Sequence, residues 1–430
     1  MAPKLMIFLA IVVALVAVAA SFHQYFVPAN LDVRPAKASS HPDETMAAIV
    51  YYEHGDASTL SYETSYPKPL LDDSRPQYLI HVKASALNPV DFKLRRNPQI
   101  PQFLVPLPKI PGADIAGVVV QASPSAGGKF QPGDRVAAML PLMGSRWGAH
   151  ADYVVVEEGL LAAIGDSTSF ETAAAAPLAA LTALQSFQKL PKDGTEKKKL
   201  LVHAGAGGVG TFAIQLGKIL GMHVATTASA PKANLLQEIG ADMVIDYRTQ
   251  RFEDTVSSEN DRYDVVLDPM SWLYEERSFH DSVLKPTGHY LNIPSSDWGL
   301  VDGKEQGNGM RTAINFVKSK LWNMVRPGSI ATYGLKVVQP DGKDLQEILD
   351  LMDAGKMRAV VDRTFHLSEA VQAYQYLEEG HATGKVVLQH GTQSEPIDEL
   401  EETGENLANP EQGEVTSGDE NDIPDNEMSS

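Results

Sequence analysis

The run His203-Ala204-Gly205-Ala206-Gly207-Gly208-Val209-Gly210 carries the strongest chemical signal in the chain. Leu200-Leu201-Val202 leads into it as an apolar strand, and Thr211–Leu220 leaves it with helical spacing. In such a strand–turn–helix the three spaced glycines have separate duties. Gly205 permits the tight turn, Gly207 lets the main chain approach a pyrophosphate, and Gly210 lets helix and strand pack closely. Gly205, Ala206, Gly207, Gly208, Val209 and Gly210 are therefore the expected cradle of a dinucleotide, with helix N–H groups and the helix dipole facing its phosphates. The end of the next strand selects the dinucleotide. An acid there would hold a ribose 2′-hydroxyl. The chain reads Thr226-Thr227-Ala228-Ser229-Ala230-Pro231-Lys232 instead, with no acid before Glu238. Ser229 and Lys232 suit a 2′-phosphate by hydrogen bond and charge, so NADPH is the expected cofactor.

The elements that would position this turn show two rhythms. From Met46 to about Ile164, short strand-like runs are broken by Pro and Gly: Tyr78–Val82, Gly117–Val120 and Asp152–Val156. This part reads as mostly β. After Ser167 strands alternate with helices. The expected strands are Lys199–Ala204, His223–Ala228, Met243–Ile245, Asp264–Leu267, Tyr290–Ile293 and Tyr333–Val338, with helices such as Val209–Leu220 and Lys232–Ile239 between. That alternation predicts an α/β fold with a doubly wound parallel sheet.

Composition narrows the chemistry. Among 430 residues there is no cysteine, which excludes disulfides, thiolate-bound zinc and a thiol nucleophile. The net charge is −19, and an acidic tail from Gly391 to Ser430 without Lys or Arg carries most of it. No basic block exists, so nucleic acid is not an expected partner. Low hydrophobicity and high charge make the tail an expected disordered segment. At the other end, Leu5 to Ala20 is an apolar run of 16 residues, about 24 Å as a helix. Extended through Val27 it reaches the thickness of a bilayer core, about 30 Å. A single-pass signal-anchor is the first reading; a cleaved signal peptide or an organelle transit peptide are the alternatives. Residues 28–45 read as a linker.

Several ordered motifs carry a family resemblance: Ala86-Leu87-Asn88-Pro89-Val90-Asp91, Ile110-Pro111-Gly112-Ala113-Asp114-Ile115-Ala116-Gly117, Phe130-Gln131-Pro132-Gly133-Asp134-Arg135-Val136, Ala179–Ala183, the glycine turn, and Gly384-Lys385-Val386-Val387-Leu388. From about Met46 to Gln389 the chain resembles a medium-chain dehydrogenase/reductase of the zinc-independent, quinone-oxidoreductase-like branch, the enoyl reductase domain. The resemblance implies a GroES-like, partly open β-barrel at 46–166, a Rossmann domain at 167–340, and a return to the barrel domain at 341–390, flanked by 1–27 and 391–430. It also implies a homodimer and an active site between the domains.

Departures from the family sharpen the expected chemistry. Zinc-dependent relatives use Cys and a Gly-His-Glu segment where this chain has Gly112-Ala113-Asp114, so no metal is expected. The enoyl-thioester branch places a proton-donating tyrosine after the first loop, and no tyrosine lies between Tyr78 and Tyr153. Hydride transfer to a quinone or an α,β-unsaturated carbonyl, with a delocalised oxyanion that water protonates, is the simplest reaction left. A non-catalytic NADPH-binding membrane adaptor and an enoyl-thioester reductase are the alternatives. Asn88, Asp91 and Thr182 are the candidate catalytic residues: Asn88 to donate to the acceptor oxygen, Asp91 to hold its loop through main-chain N–H groups, Thr182 beside the nicotinamide by analogy. By analogy Tyr247 lies beside the adenosine phosphate. Asn292 and Ile293, at the carboxyl edge of the sheet, are expected to meet the nicotinamide amide, and Lys385 to reach the cofactor cleft.

Overall fold

Among the described residues the longest strand, Gln77–Leu87, ends immediately before Asn88, and the fold is organised around that fact. In a computed structural model the described residues are 37–38, 41, 44–98, 100–188, 190, 197–270, 274–278, 283–293, 332–335 and 338–391. The apolar run at 5–27, most of the linker, the segment 297–327 and the tail beyond Gly391 lie outside them. Among the described residues no helix is long and apolar enough to cross a membrane.

Strands β1 (Lys37–Ala38), β2 (Thr45–Tyr51), β3 (Leu60–Pro67), β4 (Pro69–Leu70), β5 (Gln77–Leu87), β6 (Asp114–Ala122), β7 (Arg135–Met139), β8 (Tyr153–Glu157) and β9 (Leu161–Ala163) build the first part. Strand β5 pairs antiparallel with both β6 and β8, and β6 with β7. Helix α1 (Pro89–Arg96) starts where β5 stops. The Asp91 carboxylate accepts the Asn88 N–H, Pro89 sits at the first helical position, and Lys93, Arg95 and Arg96 face the negative end of the helix dipole. The family resemblance implies a loop around Asn88 and Asp91; the cap makes the chain helical from Pro89 onward.

Helices α2 (Phe170–Ala174) and α3 (Pro177–Phe187) carry the chain to the second sheet. Their buried alanines 173–176, 179, 180 and 183 allow close approach to the core. The sheet contains β10 (Lys199–Val202), β11 (His223–Ala228), β12 (Met243–Asp246), β13 (Tyr263–Asp268), β14 (Leu284–Asn292) and β15 (Thr332–Leu335), with α4 (Gly208–Ile219), α5 (Ala233–Glu238) and α6 (Glu275–Ser278) in its connections. All its pairs are parallel, in the order β12-β11-β10-β13-β14-β15. Counted from β10 this is the doubly wound order, and its switch point lies between β10 and β13.

The chain then returns through α7 (Gly342–Asp353), β16 (Val361–His366), α8 (Ala370–Glu378) and β17 (Lys385–Gln389). Strand β17 pairs antiparallel with β5. Its first residues also touch the second sheet: Gly384 bridges Gly207 and donates its N–H to the Ala206 carbonyl at 2.8 Å. One strand thus joins the dinucleotide turn to the strand that ends at Asn88.

Candidate active site and cofactor cleft

The glycine turn leaves β10 at the switch point. A Cβ at Gly205 would lie 1.9 Å from Thr226 Oγ1, and one at Gly210 2.4 Å from the Ala204 carbonyl oxygen. Gly207 is different: its nearest neighbour would be that same oxygen at 3.3 Å. The turn is therefore packed below and open above. Gly207 caps α4 without a side chain, so the first-turn N–H groups have no acceptor within the helix. This cradle fits a dinucleotide pyrophosphate. Below the turn, Ala204 adopts a left-handed φ of 49°. Thr227 Oγ1 accepts its N–H at 3.1 Å and meets His203 Nδ1 at 3.3 Å. Burial pushes His203 down to about 3, so its ring is neutral and structural.

On the facing side, Asp114 begins β6 and is fully buried. Its Oδ1 accepts the Leu178 N–H at 2.8 Å, and its Oδ2 accepts Asn88 Nδ2 at 2.9 Å and Lys385 Nζ at 3.0 Å. Lys385 also donates to the Leu87 carbonyl at 3.0 Å and to Asn88 Oδ1. The Asn88 amide is thus fixed from both ends, and its second N–H is unpaired among the described residues. The Lys385 stem runs along the glycine turn, its Cδ 3.0 Å from where a Cβ of Gly208 would stand, and its ammonium is held among Asn88, Leu87 and Asp114. Sequence reasoning sees in Asp114 only a departure from a zinc motif and misses the role its contacts give it. The usable signal was an acid at the head of the apolar run Ile115-Ala116-Gly117-Val118-Val119, where a charge is costly without a partner.

This constellation does not suit zinc. The place of the family's metal-binding segment holds a carboxylate already neutralised by an ammonium, and the chain has no cysteine. Among the described residues no three His, Asp or Glu gather as ligands.

Asp91 is buried next to Asn88. Burial raises its carboxyl to about 7, Asp114 adds to the rise, and the Asn88 N–H, Lys385 and Lys109 oppose it. Thr182 is buried too, but its hydroxyl donates to the Leu178 carbonyl of its own helix at 2.7 Å. Ser229 and Tyr247 follow two adjacent strand ends, joined by a hydrogen bond from Tyr247 N to the Ala228 carbonyl at 3.3 Å. Tyr247 is exposed, which leaves its ring accessible. Lys232 donates to Thr383 Oγ1, beside a cavity of about 550 Å³ lined also by Pro231, Arg358 and Val361. Asn292 ends β14 fully buried, with neither side-chain polar atom hydrogen-bonded among the described residues, while Ile293 N donates to the Asp268 carbonyl at 2.9 Å.

Two sheets joined through β17, a glycine turn at the switch point and a buried polar cluster around Asn88 define a two-domain, nucleotide-dependent oxidoreductase. Residues 74–166 match the alcohol dehydrogenase GroES-like domain and residues 239–388 the zinc-binding dehydrogenase domain. The chain is 36% identical to a 2-methylene-furan-3-one reductase of Solanum lycopersicum, over 81% of this chain and 80% of the relative. It is 34% identical to a chloroplastic NADPH-dependent alkenal/one oxidoreductase of Arabidopsis thaliana, over 84% of this chain and 83% of that one. The solved quinone oxidoreductase of Coxiella burnetii superposes with a TM-score of 0.65 at 29% identity, covering 80% of this chain and 99% of its own. The chain belongs to the medium-chain dehydrogenase/reductase superfamily, in its quinone-oxidoreductase-like group, and takes a nicotinamide cofactor.

Proposed function

We propose that the protein is an NADPH-dependent, metal-independent reductase of quinones or α,β-unsaturated carbonyls. The observation that carries this reading is the Asn88 amide. It is clamped by Lys385 and Asp114 and keeps one N–H for an acceptor oxygen. A positioned donor of this kind stabilises the oxyanion that forms when hydride reaches a conjugated carbonyl. Bound NADPH supplies that hydride; the chain holds the cofactor and orients the acceptor. Gly208 and Val209 offer main-chain N–H groups to the pyrophosphate, while the Gly207 N–H is held by the Ala204 carbonyl. Ser229 and Lys232 take the 2′-phosphate, since no acid stands there to prefer a free 2′-hydroxyl. The names of the tomato and Arabidopsis relatives support the acceptor class, and the second of them the choice of NADPH.

The test is cofactor oxidation against 1,4-naphthoquinone and trans-2-hexenal, with NADPH and NADH in parallel. Turnover with NADPH and at least about tenfold less with NADH is the expected result. Equal use of both cofactors would remove the role of Ser229 and Lys232. In the cell we propose attachment to a membrane through the apolar run before Pro28, and pairing as a homodimer. Membrane fractionation with and without residues 1–27, and light scattering of the purified chain, check the two points.

A further inference from the structure

The side chains of Lys232 and Thr383 meet although 151 residues separate them. Lys232 ends the short turn Ala230–Lys232 that follows β11. Its main-chain N–H donates to the Ser229 carbonyl at 3.0 Å, so Ser229 and Lys232 share one turn and can address one phosphate. Thr383 stands immediately before Gly384, whose N–H is held by the Ala206 carbonyl of the glycine turn at 2.8 Å. Gly384 has a φ of 74°, and a Cβ there would lie 2.1 Å from the Val360 carbonyl oxygen, so this corner admits no other shape. Thr383 is 5% exposed. Its hydroxyl is therefore fixed relative to the pyrophosphate cradle.

The ammonium held by that hydroxyl has no acid beside it. Lys232 and Arg358 are the two cations on the wall of the cavity of about 550 Å³. Arg358 gives its guanidinium to Glu238 at 2.6 Å. Asp362, on the same wall, accepts the Tyr376 hydroxyl. Lys232 Nζ donates to Thr383 Oγ1, and no carboxylate pairs with it among the described residues. The difference matters. A carboxylate at that place would cancel the charge it holds, whereas a neutral hydroxyl restrains the ammonium and leaves its charge for an anion. An unrestrained lysine must give up much rotamer freedom when it binds. One already held in place gives up less.

We propose that Thr383 is a positioning residue for cofactor selectivity: its hydroxyl holds the Lys232 ammonium where the 2′-phosphate of NADPH arrives. The inference rests on the NADPH reading above. One of the three ammonium N–H groups goes to Thr383, and the other two remain for phosphate oxygens. Because Thr383 and Gly384 are adjacent, the chain that returns to the barrel sheet sets the 2′-phosphate cation and the pyrophosphate turn in one register. Choice between the two dinucleotides then depends on a residue far along the chain from the strand end where Ser229 and Lys232 stand.

The experiment measures binding by the full chain. Fluorescence gives the affinities for NADPH and NADH, and calorimetry those for adenosine 2′,5′-bisphosphate and 5′-AMP. The variants are Thr383→Val, Thr383→Ser, Lys232→Met and the double variant Lys232→Met with Thr383→Val. Thr383→Val removes the hydroxyl at nearly constant volume. It should weaken NADPH and the bisphosphate about fivefold and leave NADH and 5′-AMP within about twofold of the wild type. Thr383→Ser, which keeps the hydroxyl, should bind all four as the wild type does. Lys232→Met should weaken NADPH about 30-fold. Adding Thr383→Val to Lys232→Met should cost nothing more, because no ammonium remains to be held. Thr383→Ala replaces Thr383→Val should the valine variant not fold. Equal weakening of NADPH and NADH by Thr383→Val would show that the hydroxyl serves the shape of the corner, and would overturn the proposal. Tighter NADPH binding would overturn it too, since Thr383 would then be keeping the lysine from the phosphate. So would full additivity in the double variant. A loss with Lys232→Met but none with Thr383→Val defeats the positioning role and leaves the NADPH reading standing. Unchanged NADPH affinity in Lys232→Met defeats both.

Discussion

The two sides of the cleft are built in opposite ways. The cofactor side is a single stretch, Gly205 to Gly210, acting through main chain and through the absence of side chains. The polar cluster proposed for the acceptor is made of side chains from separate places: Asn88 and Asp91 at the start of α1, Asp114 at the head of β6 and Lys385 at the head of β17. A contiguous main-chain site tolerates no added bulk. A convergent side-chain site tolerates no unbalanced charge. The two should therefore fail differently, and stability should separate them as clearly as activity.

The largest effect is expected from Lys385→Met. It leaves Asp114 fully buried without its cation, a change that costs about 3–5 kcal/mol. Thermal or denaturant unfolding checks it. The double variant Lys385→Met with Asp114→Asn should recover part of the loss, since it removes the orphaned charge. A double variant no more stable than the single one would mean that Lys385 acts through packing instead.

Gly210→Val attacks the other side. Its Cβ would enter within 2.4 Å of the Ala204 carbonyl oxygen and 2.7 Å of Gly205 Cα, so helix α4 must lift off the turn. NADPH affinity should fall about 100-fold, close to 2.7 kcal/mol, while the Asn88 cluster stays intact. Fluorescence titration measures the first. Unfolding that stays cooperative, with a smaller loss than that of Lys385→Met, checks the second. Equal destabilisation by the two substitutions would break the distinction between the sites.

This division also explains what was readable in advance. The α/β alternation, the strand positions and the glycine turn depend on local periodicity and spacing, and the structure contains each of them. The helix at Pro89–Arg96 was missed because its start signal, Asn88-Pro89-Val90-Asp91, reads equally well as a turn until the Asp91 carboxylate is seen to cap it. Asp114 is illegible in the sequence for a physical reason: its partner Lys385 is 271 residues away, and no local pattern pairs them. Lys385 packs its stem against the glycine turn at Gly208, and its ammonium pairs with a buried acid that no local pattern announces.

The smallest change probes the turn without disturbing it. Ala204 holds a left-handed φ of 49° immediately before Gly205, a conformation that costs an L-residue about 1–2 kcal/mol. Thr227 Oγ1 stabilises it by accepting the Ala204 N–H, and Gly210 needs the Ala204 carbonyl where it is. Ala204→Gly relieves the strain but gives the unfolded chain more freedom, about 0.5–1 kcal/mol in the other direction. The net expectation is a gain of roughly 0.5 kcal/mol, a rise of about 1–2 °C in Tm, with NADPH affinity unchanged. Unchanged affinity with higher stability would show that the strained residue supports the turn's shape and takes no part in binding. A drop in affinity would mean that the left-handed residue also limits the motion of the main chain around the phosphates, and the cofactor side would then depend on stiffness as well as on space.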